Sequence, residues 1–220
     1  MRLVFASNNA HKLDEVRAIM PEGVEVLSLR DIGFDAEIEE NGVTLEENSM
    51  IKARTVADFI NDGMCASLND GMMIDGVFAD DTGLEIDALD GKPGVYTARW
   101  YRLNDEMSAA EPLNDEMMVF AANRAKALRE LEGKENRGAQ FRTVITLIKV
   151  NGERLAVSGV VRGRIATEEY GQGGFGYDPI FIPEGYDKTF GELPAAVKNG
   201  ISHRSRALAE LVKAMGESEN

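Results

Sequence analysis

An α/β fold is predicted for this 220-residue chain from three features at its start. Leu3-Val4-Phe5-Ala6 is an apolar run of strand length, and the polar turn Ser7-Asn8-Asn9 follows at once. A helical stretch then continues to about Met20 with Leu13, Val16 and Met20 on one face, closed by Pro21 and Gly23. Val24-Glu25-Val26-Leu27 reads as a second strand, so the chain opens β-α-β, the order of an α/β architecture.

The remaining elements follow from local pattern. An acidic stretch, Glu37-Ile38-Glu39-Glu40-Asn41-Gly42, leads into Thr44-Leu45-Glu46-Glu47. That is a capping box: the Thr44 side chain takes the Glu47 amide and Glu47 reaches back. The helix it starts extends to about Ile60, with Leu45, Ile51, Val56 and Ile60 as core contacts. Residues 61–75 are rich in Gly, Asp, Asn and Met without periodicity and read as a surface loop or insertion. Gly76 to Ala79 is a short strand that stops at Asp80-Asp81-Thr82-Gly83, and alternation resumes at Leu84, Ile86 and Ala88. Asp90-Gly91 and Pro93-Gly94 are turn signals. A helix is expected from Asn114, as its cap, to Leu131. Phe141–Val150 and Arg154–Ile165 are strand-like runs joined at Asn151-Gly152, a strong hairpin signal. A glycine loop, 171–176, precedes an extended Pro179–Pro183. The last helix starts near Ser202 and carries Leu208, Leu211, Val212 and Met215, with a frayed tail from Gly216. Neither repeats nor low-complexity linkers interrupt the chain, so a single domain over 1–220 is expected, against a prior of about 150 residues per domain.

Composition narrows the function. Lys plus Arg number 24 against 38 Asp plus Glu, a net charge of −14. Such a balance argues against a nucleic-acid polymer or an anionic membrane as partner, both of which need a basic face. A nucleotide substrate stays open, because a metal ion can mediate between carboxylates and phosphates. One cysteine and two histidines exclude an internal disulfide framework, a cysteine zinc site and an HExxH site. The opening apolar run is too short for a signal-peptide core, and no segment reaches the roughly 18 apolar residues of a membrane span. A cytoplasmic protein is expected.

Four constellations carry chemistry, each with a plainer reading beside it. Ser7-Asn8-Asn9-Ala10-His11-Lys12 lies between strand and helix, where free amides and a lysine suit phosphate oxygens; it is equally an Asn-capped helix whose Lys12 faces water. Asp80-Asp81-Thr82-Gly83 sits at a strand end, where α/β proteins place their sites. Together with Glu39-Glu40 and Glu46-Glu47 it could hold a hard cation and leave one carboxylate to activate water; it is equally a solvated turn. Gly171-Gln172-Gly173-Gly174-Phe175-Gly176-Tyr177-Asp178 contains a literal GxGxxG, but the prolines after it discourage the helix a dinucleotide loop must open. Its glycines suit close backbone approach to a ligand, and Phe175 or Tyr177 offers a flat face; an aromatic core plug is the alternative. Finally, Lys198 and Ser202-His203-Arg204-Ser205-Arg206 could read carbonyl edges of a ligand, or simply decorate an exposed helix start.

In order along the chain, SNNAHKLDEV, EENGVTLEENSMIKA, FADDTGLEIDALDGKPGVYTARW, GQGGFGYDPIFIP and SHRSRAL resemble the inosine triphosphate pyrophosphatase (Ham1-like) family nearly end to end. The resemblance implies an elongated mixed α/β sheet with flanking helices, in two lobes around a substrate cleft, and usually a homodimer. It implies Mg²⁺-dependent hydrolysis of ITP, dITP and XTP to the monophosphate and pyrophosphate, removing deaminated purines from the nucleotide pool. By position, Ser7, Asn8, Asn9, Ala10, His11 and Lys12 would wrap the phosphates. Glu39 or Glu40 with Asp80 and Asp81 would hold metal and orient water, Asp81 as the base, and Lys52 would face the phosphates. Phe175 would stack on the base with Gly176, Tyr177 and Asp178 beside it; Thr82 would also bind substrate, and Lys198, His203 and Arg204 would contact the purine's oxo edge.

Two departures from the family pattern stand out. Ser7-Asn8-Asn9 replaces Thr-Gly-Asn, and residues 61–75 form a longer link than usual. Two rival readings remain: a phosphotransferase with Asp80 or Asp81 as nucleophile, disfavoured because no Asp-x-Asp pair stands near Ser7, and a nucleotide-binding module without catalysis, disfavoured by the acidic cluster.

Overall fold

The computed structural model describes residues 1–63, 73–103, 113 and 115–217. Strands are β1 (Arg2–Phe5), β2 (Glu25–Leu27), β3 (Gly76–Ile86), β4 (Pro93–Gly94), β5 (Gly138–Lys149), β6 (Arg154–Ile165) and β7 (Phe181–Pro183). Helices are α1 (Ala10–Ile19), α2 (Leu45–Asn61), α3 (Glu116–Glu130), α4 (Ala195–Ile201) and α5 (His203–Glu217). The α/β expectation holds: a mixed sheet in the order β2-β1-β3-β5-β6-β7, with β4 on β3, carries flanking helices. Among the described residues no helix is long and apolar enough to cross a membrane.

The chain divides into two compact units. The first comprises residues 1–81, 143–159 and 203–220, the second 82–142 and 160–202; β3, β5 and β6 contribute residues to both.

In the first unit β1 pairs in parallel with β2 and with β3, Val4 opposite Leu27 and Val77. Because side chains alternate across a strand, the sheet has two apolar faces. Val4, Ala6, Val77 and Ala79 pack against Ala53, Val56 and Ala57 of α2. Leu3, Phe5 and Phe78 pack against Val16 of α1 and Leu208, Leu211 and Met215 of α5. At Gly159 on β6 the α5 backbone comes so close that a Cβ would lie 2.3 Å from both the Ala207 nitrogen and the His203 oxygen.

In the second unit β4 lies antiparallel on β3, Leu84 opposite Gly94, and β7 antiparallel on β6, Ile165 opposite Phe181. Its core joins Leu84, Ile86, Phe141, Ile165, Phe181 and Phe190 to Ala127 and Leu131 at the end of α3.

Several expectations need correcting. β3 does not stop at Asp80: it runs unbroken from Gly76 to Ile86, so Asp80-Asp81-Thr82-Gly83 is strand interior and not a turn. Turn-forming residue types misled because what holds the aspartates is tertiary. On α2 the buried apolar positions are Leu45, Ala53, Val56 and Ala57, whereas Ile51 is only half-buried. The buried arc also contains Asn48, Ser49 and Lys52, which an apolar count passes over. α3 is capped by Asp115, whose side chain accepts from the Met118 amide; Asn114 lies outside the described residues, as does most of the 61–75 link. Asp178–Ile180 forms a 3-10 turn before β7, and Gly216 is still helical.

Gly159→Ala should therefore cost about 3 kcal/mol or more, since the clash is with helix backbone and not with a flexible side-chain tip. Urea unfolding checks this; a midpoint equal to wild type would show that α5 can retreat freely from the sheet.

Candidate active site

The site in the first unit grows from the alternation of β3. Asp80 shares the parity of Phe78 and points to the α1/α5 face; Asp81 shares that of Val77 and Ala79 and points to the α2 face. Both are buried, at 1% and 7% exposure. A buried carboxylate persists only when paired and hydrogen-bonded, and each finds its own cations.

On the first face Asn9 caps α1, its side chain accepting from the Lys12 amide at 3.0 Å. The Asn9 amide in turn donates to Ser7 Oγ at 3.3 Å. The capped start directs Lys12 inward: its Nζ donates to Asp80 Oδ1 at 2.8 Å, so Asn9 fits the plain capping reading while Lys12 does not face water. Arg204, at the first turn of α5 and 1% exposed, donates Nε to Asp80 Oδ2 at 3.0 Å and Nη1 to Glu15. Burial pushes the Asp80 carboxyl up, but Lys12, Arg204 and Lys52 outweigh it and hold it well below the usual carboxylate range. The same burial lowers Lys12.

On the second face Lys52 of α2 donates Nζ to Asp81 Oδ1 and Glu40 Oε2, both at 2.9 Å. Asn48, one turn earlier, places Nδ2 3.4 Å from Asp81 Oδ2 and accepts from the Gly42 amide at 2.8 Å. Ser49 Oγ donates to the Ala79 carbonyl at 2.9 Å, binding α2 to β3 beside the aspartates. The Thr44 cap is present, its hydroxyl accepting from the Glu47 amide at 3.1 Å. Glu47, however, reaches past the cap to the Val43 amide, at 2.6 Å. Burial raises Asp81 against the opposing pull of Lys52 and Lys12, with Glu40 adding to the rise. Lys52 is raised: burial would lower it, but Asp81, Glu40 and Asp80 prevail.

In the second unit the glycine loop is organised by Asp178. Its Oδ2 accepts from the Phe175 amide at 2.8 Å and from Lys198 Nζ at 2.5 Å. Lys198 Nζ also lies 4.8 Å from the centre of the Phe175 ring. Gly174, at φ +69°, is required here, since a Cβ would fall 2.0 Å from Asp178 Oδ2. Phe175 is half-buried. Tyr177 is fully interior, packed in the core and donating its hydroxyl to the Thr97 carbonyl at 3.0 Å; for Tyr177 the aromatic-plug alternative describes the structure.

The expected site residues thus divide. Lys12 is paired with Asp80 on one face of β3 and Lys52 with Asp81 and Glu40 on the other, while Phe175, Asp178 and Lys198 form a further cluster. Asn8, Ala10 and His11 are exposed at the start of α1, Thr82 and Gly176 are half-buried, and His203 is buried. Arg204, expected at a purine edge, has two of its nitrogens on Asp80 and Glu15. Asp80 itself has one oxygen on Lys12 and the other on Arg204. Glu39 is exposed, as is Glu40, which meets Lys52. Among the described residues no three His, Cys, Asp or Glu side chains gather for a metal. Glu40 and Asp81 alone still fit Mg²⁺, a hard cation that keeps waters and takes one or two carboxylates plus substrate phosphates. Glu15 and Asn48 escaped the sequence reading. The available signal was helical spacing, Glu15 three residues after Lys12 and Asn48 four before Lys52.

The Ham1 family model matches residues 3–214. The chain belongs to the Ham1 family. A relative from Flavobacterium johnsoniae, named dITP/XTP pyrophosphatase, is 41% identical over 212 residues, 96% of each chain. One from Bacillus subtilis with the same name is 43% identical over 213 residues, 96% of this chain and 94% of its own. The solved structure of the Staphylococcus aureus Ham1 protein superposes with a TM-score of 0.77 at 35% identity, covering 100% of both chains. This Ham1 chain therefore shares fold and length with those relatives.

Acid stability tests the Asp80 network. Below about pH 3.9 the unfolded chain protonates this carboxyl while the native one stays ionised, so the unfolded state binds more protons and stability falls with acid. The contribution of Asp80 is whole above that value and lost as pH falls through its lower native pKa. Asp80→Asn should cost about 3–5 kcal/mol at neutral pH by leaving Lys12 and Arg204 underpaired, and should flatten the acid limb of ΔG in urea unfolding from about pH 5 to pH 2. An acid limb as steep as wild type would refute the assignment.

Proposed function

We propose that this Ham1-family enzyme is a nucleoside-triphosphate pyrophosphatase acting on ITP, dITP and XTP, purine nucleotides that carry a 6-oxo group and no 2-amino group. The observation that carries the reading is the pair of consecutive buried aspartates on β3, one anchored by Lys12 and Arg204 and the other held beside Lys52 and Glu40. The names of the relatives in Flavobacterium johnsoniae and Bacillus subtilis support the substrate class.

Triphosphate chemistry falls to residues of the first unit. Ser7, Asn8, Asn9, Ala10 and His11 line the start of α1, the positive end of its dipole, which favours anions, and Lys12 and Lys52 bring positive charge. Glu40 and Asp81 would hold Mg²⁺, which when bound neutralises phosphate charge and lowers the barrier to attack. Asp81 accepts a proton from a water whose oxygen attacks the α-phosphorus; the bond from that phosphorus to the bridging oxygen breaks and pyrophosphate leaves. Lys52 holds Asp81 in place throughout.

Base recognition falls to the second unit, where Phe175 stacks and Lys198 and Asp178 flank it, with Thr82, Gly176 and Tyr177 shaping the surroundings. Donors aimed at O6 accept hypoxanthine and xanthine but are left unpaired by the adenine amino group, a mismatch that costs far more than a lost methylene. A homodimer in the cytoplasm that clears deaminated purines from the nucleotide pool completes the proposal.

Phosphate release from ITP, XTP, ATP and GTP with Mg²⁺, with and without inorganic pyrophosphatase, tests it. Phosphate from ITP and XTP only when pyrophosphatase is added is the expected result, and Asp81→Asn should lower kcat by about 10²–10⁴-fold. Direct orthophosphate release would indicate a different phosphohydrolase, and tight nucleotide binding without turnover would indicate a binding module.

A further inference from the structure

The glycine loop of the second unit is held from two sides. Asp178 receives the Phe175 amide. On the other side, the carbonyl of Gly176, the next residue, accepts Arg124 Nη1 of α3 at 2.9 Å. Gly176 stands at φ +60° with nothing packed where a Cβ would be, so packing does little to hold the loop at this point and the arginine supplies a fastening. Arg124 is in turn ion-paired with Glu169, its Nε 2.9 Å from Oε1 without the alignment of a hydrogen bond, and its side chain is only 11% exposed. Four residues earlier on the same helix face, Phe120 places its ring 6.1 Å from that of Phe175, at 43° between planes. One turn of α3 therefore touches the Phe175 ring and the carbonyl of the residue that follows it.

We propose that Phe120 and Arg124 are positioning residues that set the orientation of Phe175 and so determine how tightly the purine is held. The inference rests on Phe175 stacking on the base, as in the function proposed above. Arg124 acts through the Gly176 carbonyl, and the planar guanidinium allows two nitrogens to serve two partners at once, which an ammonium does not reproduce. Phe120 limits the tilt of the Phe175 ring by edge and face contact.

The test compares a substrate with a base and one without. For wild type, Arg124→Met, Arg124→Lys and Phe120→Leu, kcat and KM are measured with Mg²⁺ for ITP and for inorganic tripolyphosphate, and IMP affinity is measured by calorimetry without metal. Arg124→Met should raise the KM for ITP about tenfold and weaken IMP about as much, with kcat changed by no more than about twofold and tripolyphosphate turnover unchanged. Arg124→Lys should recover part of the loss, and Phe120→Leu should show the same pattern more weakly. Equal losses on both substrates, or an unchanged KM for ITP together with unchanged IMP affinity, would overturn the proposal. A wild-type enzyme that neither binds IMP nor prefers ITP to tripolyphosphate would overturn the stacking reading itself, and this inference with it. Preference intact in wild type but untouched in the variants overturns this inference alone.

Discussion

Two adjacent aspartates in the interior of a strand impose the constraint on which the first unit is built. Alternation sends Asp80 and Asp81 to opposite faces of β3, and neither face can accept a bare carboxylate, because an unpaired buried charge costs several kcal/mol or more. Each face must therefore deliver a cation from the helices that cover it. Lys12 and Arg204 come from α1 and α5, Lys52 from α2. The registers of three helices are tied to two consecutive residues, and secondary ties such as Ser49 to the Ala79 carbonyl keep α2 from sliding. Close approach of α5 at Gly159 belongs to the same requirement, since Arg204 must arrive at Asp80 from the first turn of that helix.

The two carboxylates end in different electrostatic states. Asp80 has both oxygens occupied by cations, and its pKa lies below the ordinary range. Asp81 has one ammonium shared with Glu40 and a long contact to an amide, its side chain is 11% exposed, and burial raises its pKa. Paired carboxylates whose environments push them apart divide the work between an ion that stays put and a group able to exchange protons or ligands. That asymmetry, more than the count of acidic residues, favours Asp81 over Asp80 for the chemistry proposed.

Much of the fold was legible because it rests on local signals: the β-α-β opening, the Thr44 cap, the Asn151-Gly152 hairpin and the apolar stripe of α5 all stand where pattern places them. Pattern failed where tertiary pairing overrides local preference. Asp80-Asp81-Thr82-Gly83 has turn composition, yet cations from distant segments keep it in a strand. Asn48, Ser49 and Lys52 sit on the buried arc of α2, where an apolar template expects Ile51. Site residues were legible as motifs but their partners were not: nothing local to SHRSR shows that Arg204 will be spent on Asp80 and Glu15, residues 124 and 189 positions away. Arg124 went unread for the same reason, since its partner is a backbone carbonyl that leaves no mark in composition.

The second unit repeats the logic of the first with a different outcome. Asp178 is buried at 3%, so it too must be paired, and it takes one cation, Lys198, and one backbone amide, that of Phe175. Because an amide fills part of the demand, the carboxylate fixes a loop as well as a charge. Gly174 is forced by the proximity of that carboxylate, whereas at Gly171 a Cβ would lie 2.2 Å from the Gly191 backbone. Close backbone packing against Gly191, and not a dinucleotide, accounts for glycine at 171 of the GxGxxG string. A lysine so placed, held by a carboxylate and lying over the Phe175 ring, brings a cation to an aromatic surface at little entropic cost, since its long side chain is already ordered before any ligand arrives.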